Sequence, residues 1–504
     1  MKTSKYALVV FVALKLMLQF LIINSQYELH RDEFLYLDQA HHLAWGYQSV
    51  PPFTSWIALV MTWLGGSFFW IKFFPAMNGA FVIVIVWLMI DDLNGMLYAK
   101  VLAAFALLFS GLLRIDMLFQ QNSFDVLAWT LIFYLTVKYV KTEQNKLLMI
   151  IGVVAGFAFL NKYTIIFLLA GLVTALMITP HRSILAKKQF YYTILIATII
   201  ALPNIIWQIN NDLPVARHMS ELTSTKLANV ERIGFLTGQL LFFSLAIFIA
   251  AIISFFRYES FKPYRFIFWC FLFAEMIFSF FRAKSYYAIG LFPVLIAFGS
   301  VYWENILDQG WKRYLRPVLL LVVVIPVLLV ARAALPILSP AQIQANSEKF
   351  KKLGLLRWED GKDHELPQDF ADMIGWKELE ERTVAAFKLV PESETSSTLI
   401  LCGNYGQAGA INYYSKGSLP AAVSFNADYL KWFPLSMKIK NIILIKSIDE
   451  KPISDEERQL FSSIQTIGSV SNQFAREYGT TIYLLRGADP SVRELLVSKL
   501  GSSR

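Results

Sequence analysis

Cysteine and charge are what this chain has least of. Two cysteines, Cys270 and Cys402, occur in 504 residues. Cys270 falls inside a long apolar run and Cys402 in a polar region, so no disulfide between them is expected, and no Cys/His spacing of a zinc site is present. Charged residues make up 16% of the chain, where soluble globular proteins carry about a quarter. Hydrophobic residues make up 56% and mean hydropathy is +0.49. That balance excludes a soluble class, at least through residue 333. There is no Gly-x-x-x-x-Gly-Lys loop to cradle phosphates, so ATP hydrolysis is not expected within the chain. Neither a repeat of fixed period nor a low-complexity tract is found. The net charge of +9 does not point to nucleic acid, because much of the excess sits in short loops between apolar runs, where Lys and Arg set topology.

What is there is a series of apolar runs, each near the roughly 20 residues that cross a bilayer. They lie at about 6–23, 73–90, 96–113, 124–140, 146–160, 163–179, 190–206, 235–256, 265–281, 287–303 and 317–333, about eleven spans in all. The first follows Lys2 and Lys5 with no convincing cleavage site after it, so it reads as an uncleaved span. Lys and Arg concentrate in 138–146, 180–189, 257–265 and 304–316, which places those loops and the N-terminus in the cytoplasm and residues 24–72 and 207–234 outside. An odd number of spans puts the C-terminal region outside as well. The expected class is a mostly α polytopic membrane protein of the inner (plasma) membrane. Residues 1–333 form the membrane domain, with a first outer loop at 24–72, and residues 334–504 form an extracytoplasmic α/β domain. In the latter, Ser397–Cys402, Ile439–Lys446 and Thr480–Leu485 read as strands, a helix runs from the Gly403-Asn404-Tyr405-Gly406 turn through Tyr414, and Ser454-Asp-Glu-Glu457 is a capping box.

The first outer loop carries the densest chemistry: His30-Arg31-Asp32-Glu33-Phe34-Leu35-Tyr36, then His41-His42 and Trp45-Gly46-Tyr47, then Pro51-Pro52. Adjacent carboxylates at a membrane surface are costly unless solvated or paired. Asp32 is either a general base or metal ligand, or the N-cap of a short surface helix running to Trp45 with Phe34, Leu37 and Trp45 on the membrane; the two readings are compatible. His41 and His42 point apart on a helix, so packing suits them better than one shared ion. Asp125, at the outer end of the fourth span, is either a dipole-favoured carboxylate or a second acid lining an outer cavity. Asp116 reads as the former. Lys162 sits in a tight hairpin, as an interfacial anchor or as a cation for a lipid phosphate. Arg282, Lys284, Tyr286 and Tyr287 close the ninth span on the outer side, against the topology rule. Helical spacing puts Glu275, Ser279, Arg282 and Tyr286 on one face. They suit a phosphate or pyrophosphate, or pair with Glu275 and headgroups. Lys15, in mid-span, has no account from the sequence.

Arg31-Asp32-Glu33-Phe34-x-Tyr36, His42-Leu-Ala-Trp-Gly-Tyr47 and Pro51-Pro52 together resemble the polyprenyl-phosphate-sugar glycosyltransferases of the GT-C superfamily, whose relatives include protein O-mannosyltransferases and lipid A aminoarabinose transferases. Asn122-Ser-Phe-Asp125, Asn161-Lys162-Tyr163, Leu202-Pro-Asn204 with Trp207-Gln208, Lys284-x-Tyr286-Tyr287 and Tyr405-Gly-Gln-Ala-Gly409 add weaker matches. The resemblance implies a GT-C-like fold, a sugar donor on polyprenyl phosphate and an extracytoplasmic acceptor that is a lipid, a glycan or a protein. It implies Asp32 as catalytic carboxylate with Glu33 supporting it, Asp125 as a second cavity acid, and Lys162, Lys284 and Tyr286 toward the carrier phosphate. Inverting transfer is the expected course, since the carrier phosphate is already a good leaving group and needs positive charge more than a proton. No cofactor is firmly implied; a divalent metal on Asp32 and Asp125 is compatible, but no ligand set compels it. The competing class is a transporter or lipid flippase, which Lys15 and Glu275 would suit, but which more often carries inverted repeats and broken helices in paired positions.

Overall fold

The computed structural model describes residues 2–225, 232–240 and 242–503. Residues 226–231 of the expected 207–234 loop, and residue 241 of the expected 235–256 span, lie outside the described residues. Two compact units emerge: one of Met1–Ile23, Ala44–Thr54 and Gly66–Ile337, the other of Asn24–Leu43, Ser55–Gly65 and Leu338–Arg504. The first outer loop is thus shared, and its Asp32 segment belongs with the C-terminal residues.

The first unit is helical throughout. Among the described residues, seven helices are long and apolar enough to cross a membrane, from Thr3–Leu21 to Gly310–Ala334, and an eighth arises if the bent pair Ile165–Met177 and Pro180–Ala186 is one span. Shorter apolar helices occupy Leu97–Leu108, Lys146–Asn161 and Leu245–Arg257. Every apolar run therefore carries helix, as it must where lipid offers the backbone no hydrogen-bond partner, but four runs are broken or shorter than a full crossing. The chain is a multi-pass membrane protein. Its helices pack through small residues: an added Cβ on Gly152 would lie 2.6 Å from the Thr193 carbonyl oxygen, and one on Gly171 3.0 Å from that of Cys270. Such close approach is how helices associate without a hydrophobic drive.

Lys15 now has an explanation. Its ammonium lies 2.7 Å from Asp116 Oδ2 and donates to Gln19 Oε1 at 2.8 Å, while Gln19 Nε2 donates to the Leu113 carbonyl at 3.2 Å. Asp116 is no helix-dipole carboxylate. It follows the short Leu112–Ile115 helix at its C-terminal end and is fully buried. Gly79 makes room for the pair, since a Cβ there would overlap the Asp116 carboxylate.

The second unit is built on a five-stranded sheet of order β2-β1-β3-β5-β4, with β1 Thr398–Cys402, β2 Ala422–Ser424, β3 Asn441–Lys446, β4 Phe461–Ser469 and β5 Thr481–Ala488. β1 runs parallel to β2 and β3, while β5 is antiparallel to β3 and β4. The Tyr405–Ser415 helix makes the crossover between β1 and β2, and Asn404 caps it by accepting the Gln407 N–H. The Ser454 capping box forms with both bonds, though its helix ends at Gln459. Sequence reading misses two strands: β2, which is three residues long, and β4, an edge with no buried residue, so no apolar alternation marks it.

The Arg31–Gln39 helix belongs to this unit and is not a surface helix. It stops at Gln39, short of Trp45, and Glu33 to Ala40 are all buried. Phe34, expected toward lipid, is 0% exposed and packs against Trp376, Tyr413 and Tyr414 at centroid distances of 5.6–5.8 Å. Gly409 permits this, because a Cβ there would sit 2.7 Å from Phe34 Cβ.

Replacing Lys15 with Met leaves the Asp116 carboxylate buried without its cation and is expected to cost roughly 3–5 kcal/mol. The double change Lys15→Met/Asp116→Leu is expected to recover most of it. Unfolding of the detergent-solubilised protein measures both; an unchanged single variant would remove the pair from the account.

Candidate active site

Two groups of polar side chains stand out, one in each unit. The first starts at the N-terminus of the Arg31–Gln39 helix. The Asp32 N–H donates to His30 Nδ1 at 3.2 Å and the His30 N–H donates to Glu33 Oε2 at 2.7 Å, so Glu33 caps the helix start. The two adjacent carboxylates are thereby given different fates. Glu33 is fully buried, whereas the Asp32 side chain keeps 30% of its surface exposed. Asp32 Oδ1 accepts a hydrogen bond of 2.6 Å from the Tyr405 hydroxyl. The Arg31 guanidinium lies 4.4 Å from the centre of the Tyr405 ring. Burial pushes the Tyr405 phenol well above its ordinary value, so the hydroxyl stays a donor. Asp32 therefore has one oxygen fixed by a phenol, on a helix whose N-terminal dipole favours its charge.

One turn and a half further along, Asp38 accepts from Tyr429 Oη at 2.6 Å and from Asn412 Nδ2 at 2.7 Å. Burial pushes its carboxyl up to about 7, and these two donors only partly offset that. Gln39 Nε2 donates to Asp428 Oδ2 at 2.9 Å, and the His42 ring stacks on Trp432 at 4.2 Å. His41 and His42 share no metal grouping. The grouping that brings three metal-type ligands within 4.8 Å, among the described residues, is His30 with Asp369 and Asp372, and it contains neither Asp32 nor Asp125. Its chemistry does not favour an ion: with Nδ1 accepting the Asp32 N–H, neutral His30 carries its proton on Nε2, which has then no lone pair to give. Nε2 lies 3.7 Å from Asp372 Oδ2, and Arg476 Nη1 bonds Asp372 Oδ1 at 3.0 Å.

The second group lies in the membrane unit. Lys162, just past the end of the Lys146–Asn161 helix, donates to Asn122 Oδ1 at 2.8 Å and stands 3.8 Å from Asp125 Oδ2. Asp125 Oδ2 also accepts from Thr164 Oγ1 at 3.0 Å. The Lys162 ammonium lies 4.3 Å from the Tyr287 ring centre and 5.8 Å from that of Tyr286. Nearby in this unit, the Tyr163 hydroxyl meets Asn204 Oδ1 and Gln208 Nε2, each at 3.0 Å, and Asn204 Nδ2 donates to the Trp45 carbonyl at 2.7 Å. Segments far apart in sequence, 45–46, 122–125, 161–164, 204–208 and 286–287, are thus brought together. The expected shared face of Glu275, Ser279, Arg282 and Tyr286 is broken: the helix ends at Phe280, Arg282 adopts a left-handed φ of 51°, and a 3-10 helix begins at Ser285. Arg282 is exposed and Lys284 precedes that turn. Glu275 instead accepts from Gln239 Nε2 at 2.9 Å.

Residues 49–207 match the family model described as dolichyl-phosphate-mannose-protein mannosyltransferase. A relative, the lipid A galacturonosyltransferase RgtD of Rhizobium johnstonii, is 27% identical over 204 residues, 38% of this chain and 41% of its own length; the chain thus matches less than half the length of that curated relative. The fold superposes on crystal structures of ArnT from Cupriavidus metallidurans. With undecaprenyl phosphate bound, that protein gives a TM-score of 0.60 at 12% identity, covering 94% of this chain and 97% of that one. Its apo state gives 0.58 at 13%, covering 96% and 98%. At such identities the likeness is one of fold. The fold is that of ArnT, and residues 49–207 are similar to the mannosyltransferase family model.

Asp38 sets a pH dependence with a definite sign. Between the ordinary carboxyl value near 4 and about 7, the folded state holds a proton that the unfolded state releases. Stability is therefore expected to fall as pH rises through that window, by up to about 1.4 kcal/mol per unit from this group. Asp38→Asn is expected to flatten that slope, as read by thermal unfolding from pH 5 to 8; an unaltered slope would disprove the assignment.

Proposed function

We propose that the chain is an integral membrane glycosyltransferase that moves a sugar from a polyprenyl-phosphate carrier to an acceptor outside the cytoplasmic membrane. The observation that carries this reading is Asp32: a carboxylate at a helix N-terminus, partly exposed and held by a phenol, in a chain with the fold of a protein crystallised with undecaprenyl phosphate. In this reading the Asp32 carboxylate takes the proton of the acceptor hydroxyl as its oxygen attacks the anomeric carbon. The sugar–phosphate C–O bond breaks with its electron pair going to the phosphate, and one displacement inverts the anomeric centre. Glu33 supports Asp32 by fixing the helix start.

Lys162, with Tyr286 and Tyr287 around it, is the group proposed for the carrier phosphate. It offers an ammonium beside aromatic faces and hydroxyls, positive charge of the kind that stabilises a departing phosphate. Asp125 tethers that ammonium, which makes it a positioning acid in this reading. Arg282 and Lys284, on the outer side, remain further candidates for the carrier phosphate. The Lys- and Arg-rich loops support an inner-membrane orientation with the N-terminus cytoplasmic and Asp32 outside. The name of the galacturonosyltransferase relative supports testing a lipid acceptor first, with glycans and proteins next. The transport alternative drew on Lys15 and Glu275; the pairing of Lys15 with Asp116 and of Glu275 with Gln239 supports structural roles for both.

Asp32→Asn is expected to reduce transfer of radiolabelled sugar from undecaprenyl phosphate by about 10³-fold or more in membranes holding normal amounts of folded protein. Near-normal transfer would end the assignment. Lys162→Gln is expected to weaken donor use tenfold or more in kcat/KM, about 1.4 kcal/mol; an unchanged kcat/KM would reject the phosphate role.

A further inference from the structure

The hairpin that carries Lys162 is tied to two different helices. On one side, Asn161 Nδ2 donates to the Gln121 carbonyl at 2.9 Å, Lys162 Nζ to Asn122 Oδ1 at 2.8 Å and Thr164 Oγ1 to Asp125 Oδ2 at 3.0 Å, all at the start of the Gln121–Thr142 helix. Lys162 has extended backbone, φ −159° and ψ 130°, so the next side chain leaves in the opposite direction. Tyr163 accordingly reaches the Lys188–Asn210 helix. There its hydroxyl donates to Asn204 Oδ1 and accepts from Gln208 Nε2, each at 3.0 Å.

The buried residues of that helix are Ala201, Asn204 and Gln208, one stripe at helical spacing. Two of the three are amides. Amides inside a membrane helix are costly without partners and mark a specific job. Each is engaged at both ends: Asn204 Nδ2 donates to the Trp45 carbonyl at 2.7 Å, and Gln208 Oε1 accepts the Val215 N–H at 3.3 Å. Gly46 lets the Trp45 segment settle there, because a Cβ on it would overlap the Trp207 ring. The Tyr163 ring meets Phe159 edge-on at 5.0 Å, so its hydroxyl is what joins the hairpin to the two amides.

This clasp sets a distance. Lys162 Nζ stands 3.8 Å from Asp125 Oδ2, beyond hydrogen-bond range, whereas Lys15 closes to 2.7 Å on Asp116. We propose that Tyr163 is a positioning residue for Lys162: bonded to Asn204 and Gln208, it holds the hairpin back from the Gln121–Thr142 helix, so that the ammonium does not close on Asp125 and stays beside the Tyr287 ring for a carrier phosphate. This rests on the reading of Lys162 as the phosphate-binding cation. A lysine in direct contact with a carboxylate has its charge spent, and a phosphate would have to displace that partner.

The test is equilibrium binding of radiolabelled undecaprenyl phosphate to the full chain in detergent, with thermal unfolding of each variant to verify folding. Tyr163→Phe keeps the ring and is expected to weaken binding about tenfold, roughly the effect of one hydrogen bond. Asp125→Asn removes the carboxylate on which the ammonium would close. In that background, and in Lys162→Gln, the same Tyr163→Phe change is expected to cost less than about twofold, because coupled residues are not additive. A general loosening of the hairpin would weaken binding equally in all three backgrounds; that result, or wild-type binding by Tyr163→Phe, overturns the proposal. Gln208→Met removes one of the two bonds to the hydroxyl and, with Asp125→Asn, reads the same coupling if Tyr163→Phe does not fold. If Lys162→Gln binds undecaprenyl phosphate as the wild type does, the phosphate reading has failed and the proposal falls with it. If Lys162→Gln weakens binding and Tyr163→Phe does not, the positioning role alone has failed.

Discussion

The second unit depends on one close approach, between the Arg31–Gln39 helix and the Tyr405–Ser415 helix. Two glycines make it. A Cβ on Gly409 would lie 2.7 Å from Phe34 Cβ and force a shift, and one on Gly406 would lie 3.3 Å from Arg31 Cβ, a tight contact. Once the helices touch, the polar groups along the seam find partners in sequence: Asp32 with Tyr405, Asp38 with Asn412 and Tyr429, Gln39 with Asp428. A buried carboxylate without donors would cost more than the packing returns. The seam is consequently fixed in register as well as in distance, and Asp32 is held on a rigid support.

The membrane unit meets the same requirement with ions. Lys15 and Asp116 neutralise each other beside Gly79, and Lys162 is shared between Asn122 and Asp125. The two clusters differ in what surrounds the cation. Lys15 is enclosed, 1% exposed, with a carboxylate in direct contact. Lys162 keeps its carboxylate at 3.8 Å and has two phenol rings nearby, at 4.3 and 5.8 Å. The first arrangement satisfies a charge within a span. The second leaves attraction available for an anion, as phosphate binding requires.

Much was legible in the sequence. Apolar length locates the helices, because a backbone in lipid must bond to itself. β1, β3 and β5 announce themselves as apolar runs, and the Ser454 capping box is a local pattern that forms locally. The paired Asp32-Glu33, Lys162 and the Tyr286-Tyr287 doublet drew attention for the same reason: charge next to lipid is expensive and calls for a cause. The failures were also physical. Helical spacing could not foresee that Arg282 turns left-handed and breaks the expected face. Nor could amphipathic reading tell lipid from a protein interior for Phe34, since both are apolar.

Composition and local pattern by themselves determined the multi-pass class, the helical runs, the change to an α/β region after residue 336 and the short roll of ionisable residues worth considering. Only the tertiary structure decided which of two neighbouring carboxylates is partly exposed and which is spent on capping, which carboxylate each buried lysine pairs with, and that Tyr405 donates to Asp32. The reason is range. Helix formation and lipid solubility are settled within some 20 residues, whereas the partner of a buried charge is whatever the fold brings within about 3 Å, here from hundreds of residues away.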